Sequence, residues 1–127
     1  MKLNNFLLIS AFIVSGCQST ATSAPPEVHE PYELSSAQIS TIHAAVRGVL
    51  KDPESARFGE IVAASNSEGV VSACGWVNAK NSYGGYTGDK PFLGVLTKGG
   101  FVPVSVGGTS NETAATLRVC ARQGTAL

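Results

Sequence analysis

The reactive groups of this 127-residue chain are few: three cysteines, Cys17, Cys74 and Cys120, and two histidines, His29 and His43. Hydrolytic chemistry needs a nucleophile beside a base, or two carboxylates facing each other across a cleft. The acids Asp52, Glu54, Glu60, Glu68, Asp89 and Glu112 instead fall singly into expected turns and helix starts. His29 stands near Glu27 and Glu30, but no cysteine or second histidine adjoins it, so it reads as a solvated linker residue rather than a metal ligand. His43 borders an apolar helical stripe and reads as packing. Neither Cys74 nor Cys120 has the CxxC spacing or the histidine neighbour that lowers a thiol pKa. Gly107-Gly108-Thr109-Ser110 ahead of a helix could cradle an anion, yet it lacks the lysine and spacing of a nucleotide loop. The expectation is a chain that is not an enzyme, with no catalytic residue, no metal and no cofactor.

The chemistry that does concentrate is recognition chemistry. Residues 78–92 read Asn-Ala-Lys-Asn-Ser-Tyr-Gly-Gly-Tyr-Thr-Gly-Asp-Lys-Pro-Phe. Glycine allows close backbone approach, tyrosine offers a flat apolar face with a polar tip, and the amides and hydroxyls donate and accept. Asn81, Tyr83, Gly84, Gly85 and Tyr86 are the candidate binding residues. The plainer alternative is that the glycines only reverse the chain while the tyrosines cover a sheet edge.

The start of the chain carries an address. Lys2 precedes the apolar run 6–14, which is far shorter than the about 20 residues needed to span a bilayer. A basic start, a short apolar segment and small residues before a cleavage point mark a secretory signal. Val14-Ser15-Gly16-Cys17 resembles a bacterial lipoprotein signal. The resemblance implies a diacylglycerol on the Cys17 thiol, cleavage after Gly16 and acylation of the new amino group. Several acyl chains hold a protein firmly where a single one does so marginally. Gln18, where enterobacterial lipoproteins kept in the inner membrane carry Asp, implies the outer membrane, with the domain facing the periplasm. The alternative is a plain signal peptide with an incidental cysteine. Residues 1–16 are thus the signal peptide, 17–33 a lipidated, disordered tether rich in Ser, Thr, Ala and Pro, and 34–127 a single domain.

With Cys17 lipidated, two cysteines remain, and exported thiols in an oxidising compartment pair. A Cys74–Cys120 disulfide is expected. Lys+Arg and Asp+Glu number 9 each and charged residues make up only 14% of the chain. Such a chain has no basic stripe to neutralise phosphates, so nucleic acid is not an expected partner.

The elements that must carry these residues are legible locally. Ser35 and Gln38 form a capping box with Leu34 and Ile39 as a staple. Ile39, Ile42, Val46, Val49 and Leu50 then recur at helical spacing until Asp52-Pro53 ends the run. Asp52 should cap a short turn with Pro53 in its first position. Strands follow at 58–64, 70–79, 92–97 and 101–106, with Pro103 forcing the last to an edge or a bulge. Thr109 and Glu112 form a second capping box, opening a helix with Ala115, Leu117 and Cys120 available for burial and Gly124 as its stop. The expected fold is α+β: a small antiparallel sheet of about four strands flanked by an N-terminal and a C-terminal helix.

Two stretches, Leu50-Lys51-Asp52-Pro53-Glu54-Ser55-Ala56-Arg57-Phe58 and the run from Cys74-Gly75-Trp76-Val77-Asn78-Ala79-Lys80-Asn81-Ser82-Tyr83-Gly84-Gly85-Tyr86-Thr87-Gly88 to Pro91-Phe92, resemble a group of small exported bacterial proteins with LKDPxSAxF and CGxVNAKNxYGGYxG motifs. The resemblance covers about residues 50–92 and carries no activity over. Trp76 stands where other members often have a polar or charged residue. The expected function is a non-catalytic, membrane-anchored lipoprotein that binds an envelope protein. The alternative is an inhibitor or immunity module that neutralises a lysozyme-like or toxin enzyme.

Overall fold

A computed structural model describes residues 24–127; Cys17 and the signal peptide lie outside the described residues. In chain order the elements are β1 (His29–Pro31), α1 (Ser36–Arg47), a 3₁₀ turn (Pro53–Ser55), β2 (Arg57–Asn66), β3 (Val71–Asn78), β4 (Lys90–Thr97), β5 (Gly100–Val106) and α2 (Ser110–Arg122). The strands form one antiparallel meander in the order β1-β2-β3-β4-β5.

Both helix starts follow the sequence rule. Ser35 accepts from the Gln38 amide at 3.2 Å while the Gln38 side chain accepts from the Ser35 amide at 2.9 Å, and Thr109 and Glu112 do the same for α2. Each box satisfies two amides that the first helical turn leaves without partners. Asp52 caps the turn that begins at Pro53, its carboxylate accepting from the Ser55 amide at 3.3 Å.

Adjacent strand residues point to opposite faces, and this alternation separates two cores. On one face α1 lays Ile42 and Val46 against Ala63, Ala73, Val77, Phe92 and Phe101. On the other, α2 brings Cys120 to Cys74 and Leu93. Consecutive residues 73 and 74, like 92 and 93, thus serve opposite helices, and the sheet is the middle layer of three. Phe92 fits because Gly75 stands opposite it in β3: a methyl group there would come within 2.5 Å of the Phe92 ring and 2.9 Å of the Glu60 carbonyl.

Among the described residues the sheet has five strands rather than four. The extra one, His29–Pro31, comes from within the stretch expected to be tether, pairs with residues 64–66 of β2, and is continued by a bond from the Tyr32 amide to the Ala63 carbonyl at 2.9 Å. Tyr32 then packs onto the α1 core. His29 is accordingly not a solvated linker histidine: its side chain is 12% exposed and lies 3.7 Å from Glu27.

Helix α1 stops at Arg47, not at Asp52, because Gly48 caps it and glycine is a poor helix former. Leaving the helix there turns Leu50 onto the core and Val49 outward, 59% exposed. In α2, Ala115 faces solvent and Thr116 is buried instead. Thr116 is one turn before Cys120, so the face aimed at Cys74 carries Thr116 with it, and its hydroxyl meets that of Ser105 at 2.7 Å. Pro103 does lie on an edge strand, beside a register shift at Leu93/Gly94.

Candidate recognition site

The loop between β3 and β4 is a built structure. Lys80 and Tyr86 form an isolated antiparallel bridge at its neck. Beyond the neck, the Asn81 amide donates to the Gly85 carbonyl at 2.8 Å, and the Gly84 amide to the Asn81 carbonyl at 3.1 Å. The Asn81 side-chain oxygen accepts from the amides of Tyr83, at 3.0 Å, and Gly85, at 3.2 Å, the local turn-building that Asn side chains favour. Gly84 closes the tip at φ +79°, a backbone conformation open to glycine at no steric cost.

The two tyrosines have separate roles. Tyr86 is a brace: its hydroxyl donates to the Ser55 carbonyl at 3.0 Å, and the Arg57 guanidinium sits 4.2 Å from its ring centroid. The Lys80 amine approaches the same ring at 5.6 Å. Ser55 also accepts from the Lys80 amide at 2.8 Å while its own hydroxyl donates to the Asp52 carbonyl, also at 2.8 Å. The two stretches singled out in the sequence therefore meet at Ser55, with the Asp52–Ser55 turn as the footing for the loop. Tyr83, by contrast, is 96% exposed at the tip, and among the described residues its side chain has no hydrogen bond or ring contact.

Of the candidate binding residues, all five sit in this one loop, but Asn81, Gly84, Gly85 and Tyr86 shape it and Tyr83 alone presents a free side chain. Composition points to the loop; nothing local in the sequence distinguishes Tyr83 from Tyr86, because the partners of Tyr86 are Ser55 and Arg57.

The remaining candidates take structural places. His43 stacks on Phe58 with ring centroids 3.9 Å apart, and Arg47 lies 5.0 Å from the other ring's centroid. Burial, and then the charge of Arg47, hold the His43 pKa below the usual imidazole range, which suits a neutral packing role. At the α2 start, where Gly107 and Gly108 suggested an anion cradle, the protein's own carboxylate does that work: Glu112 accepts from the Thr109 amide at 2.6 Å, and its bonds to Thr109 lower its pKa. Trp76 is half-buried with its Cβ against Gly59. Cys74 and Cys120 are joined, with Cα atoms 6.1 Å apart, and both are fully buried.

No cluster of three or more metal-ligating side chains occurs among the described residues. No protein-family model, curated protein or solved structure matches the chain.

Proposed function

We propose that this chain is an exported, lipid-anchored binding module of the cell envelope, held in the outer membrane through Cys17 and engaging an envelope protein on the periplasmic side through Tyr83. The observation that carries the reading is Tyr83, 96% exposed on a loop tied down by Asn81, Tyr86 and Ser55. Exposed tyrosines on soft loops lose entropy when they bind; a braced loop has already given up most of that freedom. The Cys74–Cys120 disulfide supports export, since such bonds persist in oxidising compartments. No helix of the described residues is long and apolar enough to cross a membrane, and the Cys17 lipid supplies the attachment.

The test separates the tyrosines. Tyr83→Ala is expected to abolish the complex captured by cross-linking in intact cells, a loss of about thirtyfold or more in affinity for an aromatic anchor, while the melting temperature stays put. Tyr86→Phe, which removes only the bond to Ser55, should lower stability by roughly 0.5–1.5 kcal/mol and leave the complex of the folded protein intact. Retention of the complex by Tyr83→Ala would overturn the assignment. A tight complex with a purified lysozyme or toxin, dependent on Tyr83, would shift the reading to an inhibitor.

A further inference from the structure

Beneath the recognition loop, on the α1 side of the sheet, lies a cleft of about 390 Å³, within the size range of small-molecule sites. Its apolar wall comes from Leu50, Val77 and Val106, and its cations are Lys51, Lys80 and Lys90. These lysines come from three places in the chain: the exit from α1, the neck of the loop and the first residue of β4. Among the described residues no acidic side chain lines the cleft, and the ion pairs include none to these lysines. Glu112, beside Gly108 at the rim, is committed to the α2 cap through Thr109.

Like charges gathered without counter-charges repel one another, and a ligand that brings a negative charge relieves that repulsion as it binds. An apolar wall next to such a cluster rewards burial of a hydrocarbon or ring. With Gly48 ending α1, the next three residues, Val49, Leu50 and Lys51, all line the cleft.

We infer that this cleft binds a small organic anion with an apolar body, its charge met by Lys80 and Lys90 and its body laid against Val77 and Val106. The site is distinct from the Tyr83 tip and stands whether or not Tyr83 engages a protein.

The acylated chain in phosphatidylcholine nanodiscs, titrated calorimetrically against empty discs, tests the inference with three probes. 4-Phenylbutyrate carries both charge and body, 4-phenylbutanol the body alone, and inorganic phosphate the charge alone. Phenylbutyrate is expected to bind one per chain, with the alcohol and phosphate each weaker by about tenfold or more. The Lys90→Gln variant, which leaves the neck of the loop untouched, should weaken phenylbutyrate about fivefold without changing the melting temperature or the Tyr83-dependent complex. Equal binding of phosphate and phenylbutyrate, an unchanged affinity in Lys90→Gln, or no binding of phenylbutyrate would overturn it.

Discussion

Replacing Cys74 and Cys120 together with alanine is expected to cost the domain about 4 kcal/mol. The bond closes a separation of 46 residues, and on the chain-entropy account a loop of that length restrains the unfolded state by about this amount. For a domain whose whole stability is on the order of 5–15 kcal/mol, that is a large share. The loss should also be uneven. The buried cluster beneath α2 consists of Cys74, Leu93 and Cys120, so two of its three members are the cystine itself. Val119 and Leu127 pack against that cluster but are only partly buried; the polar ties are the Ser105–Thr116 hydroxyl pair and the Thr125 hydroxyl, which reaches the Cys120 carbonyl at 3.0 Å and the Cys74 sulfur at 3.1 Å, the last of these lost with the sulfur. Alpha-2 therefore has little core of its own, and amide exchange across residues 110–122 should accelerate in the reduced protein before the sheet loosens. Urea denaturation of the oxidised and alanine forms measures the first effect. A difference below about 1 kcal/mol would contradict the stapling role.

Phe92→Ala should be comparably damaging, at about 3–5 kcal/mol. Phe92 is fully buried and lies edge-on to Phe58 at 6.2 Å and to Phe101 at 6.3 Å, so its ring links the N-terminal and C-terminal parts of the sheet. Its neighbour across the ladder is Gly75, which has no side chain to fill the space left behind. The cavity would open in the middle of the α1 core, where Ile42 and Val46 come from a helix fixed at its start by the Ser35 box. Phe92→Leu, retaining part of the volume, should cost distinctly less in the same denaturation assay. Equal losses for the two variants would mean that the ring is not what the core is packed around.

What the sequence discloses here is what neighbouring residues settle among themselves. The two capping boxes and the Asp52-Pro53 turn each lie within four residues, and each occurs where its pattern puts it. The Cys74–Cys120 pairing across 46 positions follows from the expectation that Cys17 is lipidated, which leaves each of the other two cysteines one partner. Strand β1 was hidden for the opposite reason. His29-Glu30-Pro31 has neither alternation nor β-branched residues, and it is a strand only because β2 offers it an edge. The end of α1 is not legible locally because Val49 and Leu50 keep the helical spacing, whereas Gly48 and the packing of Leu50 on the core decide the matter. An apolar reading makes Ala115 available for burial, whereas the disulfide orients α2 by Cys120 and so buries Thr116. The loop was legible as a place for recognition. Its division between a bracing Tyr86 and a presented Tyr83 depends on Ser55, 31 residues away from Tyr86.

The most direct test of the account places a photoactivatable phenylalanine at position 83 of the acylated protein and irradiates living cells, with the same probe at Val102, 54% exposed on the β5 edge, as the comparison. The proposed function predicts a discrete adduct with one envelope protein from position 83, absent from position 102 and lost when Cys17→Ala removes the anchor. Adducts of the same pattern from both positions, or none from position 83 in protein shown to be folded and acylated, would contradict it.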